Sequence, residues 1–235
     1  MHIRDERAFR LAESLYPLIL GSDGFVAEMD LRILDLTFTG PTYNMESFFR
    51  PKVYARIETQ LMRSFHLDIR RYAHLHPLMI MSAITQTILS NDHAVSLDEH
   101  LWSFGAHHQI NMSGLETAEE QMKLLHAIPV SPLYKNIKDI SRSPQALRAF
   151  THRSIRYYLE GDIHALYTLT KASMHQLRRA VIYERNHRMA ARIHMYDRHK
   201  SNFIAVGAGH LSGRFGLIAL LRQKGWGVTP YTWRH

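Results

Sequence analysis

The chain has 235 residues, 46% of them hydrophobic, with 29 Lys and Arg against 21 Asp and Glu for a net charge of +8, together with 17 histidines and no cysteine. That length and apolar content are enough to bury one sizeable core or two small ones. The missing cysteine excludes disulfides, thiol nucleophiles and Cys-based zinc sites. Excess positive charge favours anionic partners in general, but the basic residues form no dense block, which argues against a nucleic-acid partner. Arg56, Arg63, Arg70 and Arg71 fall at helical spacing and read as a solvated helix face. The longest apolar stretch, around Pro77 to Ile84, is too short to cross a membrane. The N-terminus as it stands has no apolar signal region.

Glu6 to Leu20 sets Phe9, Ala12, Leu15, Tyr16 and Ile19 on one face, the pattern of an amphipathic helix. A turn at Gly21-Ser-Asp-Gly24 follows, and Phe25–Asp30 reads as a short strand with Glu28 inside it. From Asn44 to Ser90 the pattern is mostly helical, with interruptions expected at Pro51 and Pro77. Ser96 or Asp98 can cap a further helix that has Leu97 and Leu101 on its apolar side. Gln109–Leu115 reads as a second strand, and Thr117 with Glu120 fits a capping box that opens a helix through Leu125. Ile128–Pro144, with three prolines, reads as a loop with short helical pieces. Gln145–Met195 is largely helical, broken at Gly161 with Asp162 as the next N-cap. Phe203–Val206 is a buried strand, followed by a helix over Phe215–Lys224 and a closing strand near Gly227–Tyr231. Strands near both ends and in the middle, separated by helical stretches, predict an α/β fold rather than a bundle.

The most informative segment is Gly207-Ala-Gly-His-Leu-Ser-Gly213. Its glycines allow a sharp turn and close backbone approach, and they deliver His210 at the carboxyl end of a strand, where open α/β sheets bind ligands. Glu28 is the second candidate, because a carboxylate in an apolar strand is costly to bury without a partner. The plainer readings are a capping role for His210, a disordered terminal position for His2, and a solvated basic face for Arg185 among Arg178, Arg179, Arg188 and Arg192. Asp98 and Glu116 read as a helix cap and a loop-anchoring carboxylate. His74, His76, His107, His108, His187 and His194 match no recognised metal-ligand spacing and read as surface histidines.

An ordered set of short motifs resembles the TraB/GumN family, which includes the Tiki proteases and the PrgY pheromone regulators. The set is Met1-His2 with Arg4-Asp-Glu-Arg-Ala-Phe9, Ala27-Glu28-Met-Asp30, Leu97-Asp98-Glu-His-Leu101, Gly114-Leu-Glu-Thr117 with Glu120-Gln121, Glu184-Arg185-Asn186, Gly207–Gly213, and Gly225-Trp-Gly-Val-Thr-Pro230. The family pattern has two Gly-x-x-His motifs, a strand glutamate and an arginine in an Arg-Asn pair. By position these imply His2, Glu28, Arg185 and His210 as catalytic residues, with His2, Glu28 and His210 as ligands of a divalent metal ion. The chain begins at Met1-His2, inside the first motif. The expectation is therefore that the true start, and any export signal, lies upstream; as the chain stands the default compartment is the cytoplasm.

The resemblance implies one domain over residues 1–235: a central mixed sheet flanked by helices, with helical insertions around 44–105 and 145–200, in the architecture of erythromycin esterases and ChaN. The expected activity is metal-dependent hydrolysis, of a peptide first and an ester second, acting on a peptide or small-molecule substrate. The alternative is a ligand-binding or regulatory protein, or a haem binder like ChaN. Two imidazoles and a carboxylate can hold a divalent ion and leave positions open for water. Glu28 can instead be the general base, and Arg185 can stabilise an oxyanion.

Overall fold

Three short apolar runs bounded by turn formers become strands: β1 (Gly24–Met29), β2 (Asn111–Glu116) and β3 (Asn202–Ala205). In this computed structural model the described residues are 3–33, 43–89, 92–174, 177–196 and 199–231, so His2 lies outside them. The strands pair in the order β2-β1-β3, and both pairings are parallel. Phe25 sits opposite Met112 and Phe203, and Val26 opposite Ser113 and Ile204.

The molecule is therefore α/β with a central sheet flanked by helices. The sheet is parallel among the described residues, where a mixed one was expected. The closing strand expected near Gly227–Tyr231 does not form: residues 226–231 carry no regular structure. Gly225 sits at φ +82°, Gly227 adds no side chain to pack, and Pro230 has no N–H for a ladder.

Helices cover both faces. On one, Phe25 and Met112 meet Ala8, Phe9 and Ala12 of α1 (Glu6–Glu13), Ile19 of α2 (Tyr16–Leu20), and residues of a helix that follows a separate helical cluster. The single helix expected over Glu6–Leu20 divides because Pro17 has no N–H to bond the preceding turn and instead sits in the first turn of α2. The cluster contains α3 (Met45–Phe48), α4 (Pro51–Phe65) and α5 (Pro77–Gln86); the helix that follows it is α6 (Leu97–His107), which contributes Leu97, Leu101 and Trp102 to the sheet core. Then come α7 (Ala118–Ala127), α8 (Val130–Arg142), α9 (Pro144–Leu159) and α10 (Ile163–Met174).

Prolines start these helices rather than break them. Pro51, Pro77 and Pro144 occupy first-turn positions, where an N–H is unpaired anyway. For the same reason the loop expected over Ile128–Pro144 is instead α8, with Pro129 as its N-cap residue and Pro132 in its first turn. Two expected caps form. The capping box of Thr117 and Glu120 is complete, and Asp162 Oδ1 accepts from the N–H groups of His164 and Ala165. The N-cap of α6 is Ser96, with Asp98 in its first turn. His76 is buried rather than at the surface, and its Nδ1 caps α5 by accepting the Leu78 N–H.

The second face of the sheet seats the site. Val26 and Leu115 pack against Met189, Ala190 and Ile193 of α11 (Glu184–Met195) and Leu217 and Leu220 of α12 (Leu217–Gln223). Fully burying a side chain such as Leu115 or Met189 contributes roughly 1.5–3 kcal/mol, so this small cluster fixes α11 firmly across the strand ends. A π-helical turn, Arg179–Tyr183, leads directly into α11. No helix among the described residues is long and apolar enough to span a membrane.

Candidate active site

Parallel pairing brings the carboxyl ends of all three strands together, and each end supplies one polar group. Glu28 is next to last in β1, Glu116 ends β2, and the turn after β3 (Ala208–His210) carries His210. The first turn of α11 adds Arg185 and Asn186. Glu116, Asn186 and His210 are buried, and the side chain of Glu28 keeps 28% exposure.

Arg185 joins the two carboxylates. Its Nη2 donates to Glu116 Oε2 at 2.6 Å and to Glu28 Oε2 at 2.8 Å, while Nε donates to both Glu116 oxygens at 3.0 Å. Glu116 also accepts from Gln121 Nε2 at 3.3 Å and lies 3.7 Å from Arg188. Nη1 is the least committed nitrogen of Arg185, with contacts at 3.3 Å to His210 Nε2 and 3.5 Å to the Val181 carbonyl.

The other oxygen of Glu28, Oε1, accepts the Gly207 N–H at 2.5 Å. A Cβ on residue 207 would stand 2.9 Å from that oxygen, so glycine is what lets the turn close over the carboxylate. Burial opposes ionisation of Glu28, yet the charges of His210 and Arg185 and the hydrogen bonds from Gly207 and Arg185 outweigh it and hold the carboxyl below the usual carboxylate range.

Asn186 fixes the state of His210. Its Nδ2 donates to the carbonyls of His210 and Phe215 at 3.2 and 2.7 Å. Its Oδ1 is therefore the acceptor facing His210 Nδ1 at 2.6 Å, which assigns the proton to Nδ1. The lone pair is then on Nε2, 3.8 Å from Glu28 Oε1. Burial, helped by Arg185 and opposed by Glu28, pushes the imidazole below the usual histidine range, so it is neutral at pH 7.

Glu28, Arg185 and His210 are thus brought together as the sequence predicts. Glu116 is no loop anchor but the main partner of Arg185, and Asn186 holds the imidazole. The available signal for both was their place in the motifs that carry the family resemblance. The basic-face reading of Arg185 is also corrected, since its side chain is only 11% exposed. Arg192, seven residues on, does serve the helix surface: it pairs with Glu120 at 2.6 Å and bonds the Leu115 carbonyl.

Glu28 Oε1 and His210 Nε2 form a donor pair suited to a divalent ion, one anionic oxygen facing one neutral imidazole lone pair. No group of three or more His, Cys, Asp or Glu side chains among the described residues is arranged to hold a metal; the third expected ligand, His2, falls outside them.

The sequence pattern of the TraB/PrgY/gumN family matches residues 1–230. The chain belongs to that family. Among curated proteins, this TraB/PrgY/gumN member is similar to "Metalloprotease TIKI1" of Danio rerio, with 23% identity over 181 residues that make up 64% of this chain and 37% of the relative. The chain thus spans little more than a third of the relative's length. No solved structure matches it.

Proposed function

We propose that the protein is a metal-dependent hydrolase acting on peptide bonds. The observation that carries this reading is the facing pair at the strand ends, Glu28 Oε1 and His210 Nε2 at 3.8 Å, with a hydrogen bond behind each donor group. Metal-bound histidines characteristically have their other ring nitrogen held by such a partner, and Asn186 takes that position here. The name of the zebrafish relative supports the same chemistry.

In this reading His2, Glu28 and His210 hold the ion, which supplies an activated water and a polarised carbonyl when bound. Glu28 is assigned as a ligand rather than as the base. A carboxylate held below its usual range, with the Arg185 guanidinium and the Gly207 N–H bonded to it, is a weak proton acceptor, but it is fully ionised for coordination. Arg185 remains cationic at any working pH, and its Nη1, which would give up its contact with His210 Nε2 when that nitrogen holds the ion, is then the donor for the oxyanion of the tetrahedral intermediate. Glu116 keeps that guanidinium in plane without meeting the substrate.

The test is bound divalent metal per chain together with cleavage of a peptide library, for wild type, His210→Ala and Glu28→Gln. Stoichiometric metal and cleavage in wild type, both lost in each variant, are expected. A folded wild type that takes up no Zn, Mn or Co and cleaves nothing would overturn the proposal.

A further inference from the structure

One helix joins the proposed site to a cleft. The π-turn Arg179–Tyr183 at the start of α11 is of a kind that is rare and found mostly at functional sites. It walls an open cleft of about 370 Å³ together with Glu184, His187 and Phe215. Tyr183 also borders a small hollow formed with Tyr167, Lys171, Arg178 and Gly209. Gly209 immediately precedes His210, so the hollow adjoins the turn that carries the proposed ligand.

The cleft and the hollow share Tyr183, and each has a cation near it: Lys171 lines the hollow, and Arg214 lies against Phe215 of the cleft. The Tyr183 and Phe215 rings lie 4.6 Å apart between centroids, tilted by 39°. The Arg214 guanidinium lies 4.5 Å from the Phe215 ring, and Lys171 Nζ lies 6.0 Å from the Tyr167 ring. Gly213, at φ +88°, leaves room for Tyr167 to press against the backbone beside Arg214. The one carboxylate among the described lining residues, Glu184, is already engaged by Arg179 at 3.0 Å. Lys171 and Arg214 are exposed, and neither forms an ion pair among the described residues. Their positive charges face solvent near the turn that carries His210, since Lys171 shares the hollow with Gly209.

We infer that the cleft and the adjoining hollow together bind an acidic segment of the substrate, with side-chain carboxylates on Lys171 and Arg214 and a flanking apolar group on Tyr183 and Phe215. The inference rests on the hydrolytic reading for the word substrate, but the binding itself can be measured apart from any cleavage.

The probes are fluorescein-labelled peptides that differ only in Glu-Glu against Gln-Gln, and a single-stranded oligonucleotide of equal charge. Polarisation of each with the wild-type chain is followed by mass spectrometry of the same samples. The Glu peptide is expected to bind about three- to tenfold tighter than the Gln peptide, the range of one or two exposed charge pairs, with the difference shrinking at high salt. A Lys171→Gln/Arg214→Gln variant should erase the preference, and Lys171→Arg/Arg214→Lys should keep it. Equal binding of the two peptides, a preference that survives the Gln variant, or tighter binding of the oligonucleotide through the same two residues each overturns the inference. Selective binding without cleavage would leave the cleft standing and count against the hydrolase. Cleavage without acidic preference would do the reverse.

Discussion

The helical cluster and the strand-end site solve opposite problems within one chain. Around α4, α5 and α8, the fully buried Leu61, Ile69, Ile80, Ile84 and Ile137 form a core with no charged member. At the strand ends, Glu116, His210 and Asn186 are buried as deeply, but each is held by directed hydrogen bonds. Apolar packing tolerates replacement by anything of similar shape and volume. A buried charge tolerates only its partner. The two regions should therefore respond differently to mutation, and that difference is measurable.

The largest effect is expected from Arg185→Met, which leaves the buried Glu116 with a hydrogen bond from Gln121 and, for charge, only the more distant Arg188. The cost in chemical denaturation should be about 3–5 kcal/mol, and Arg185→Met/Glu116→Leu should recover most of it. A single variant as stable as wild type would mean that the site is no more demanding than the cluster. Leu61→Ala probes the other side of the comparison: about 2–5 kcal/mol lost from a core residue of zero exposure, with metal uptake per folded chain unchanged.

Asn186→Ala comes next. Two backbone carbonyls and the His210 Nδ1–H lose their partner, at about 1–3 kcal/mol, while metal affinity should fall about 10- to 100-fold because the imidazole is no longer oriented. Titration of metal into the folded variant checks it, and unchanged affinity would remove Asn186 from the site.

The smallest effect is electrostatic. Hydrogen bonds from Arg192, reinforced at the Thr117 cap, bring Glu120 down from its ordinary 4.5 to about 2. A carboxyl lowered in the fold binds its proton more readily when unfolded, so its contribution is present above pH 4.5 and fades as pH falls toward 2. Because the pair is partly exposed, about 0.2–1 kcal/mol is expected. Glu120→Gln should lose that amount at pH 7 and show a shallower stability decline between pH 4.5 and 2.

The two regions also differ in how far they are legible in the sequence. The strands of Glu28 and His210 stand out because short apolar runs between glycines leave few alternatives, and the Thr117 and Asp162 caps are local signals. The prolines mislead, since whether one ends or starts a helix depends on the residues after it, and Pro129, Pro132 and Pro144 all fall at beginnings. Glu116 and Arg185 are 69 residues apart, and nothing near either one reveals the pairing. Only the parallel register, which sets Glu116 opposite Met29 at the end of β1, brings them to one place. Among five arginines at similar spacing, family resemblance singles out Arg185 where local chemistry does not.

The π-turn at Arg179–Tyr183 sets the rotational phase of α11. A π-turn takes in one residue more than an α-turn, so the helix on either side of it is offset by roughly 100° from an uninterrupted spiral. Arg178, just upstream, lines the hollow, while Arg185 and Asn186, after the turn, look into the strand ends. Deleting Ala180 would turn Lys171 and Arg178 of the hollow out of step with Arg185 and Asn186, so a one-residue change would uncouple the hollow from the site.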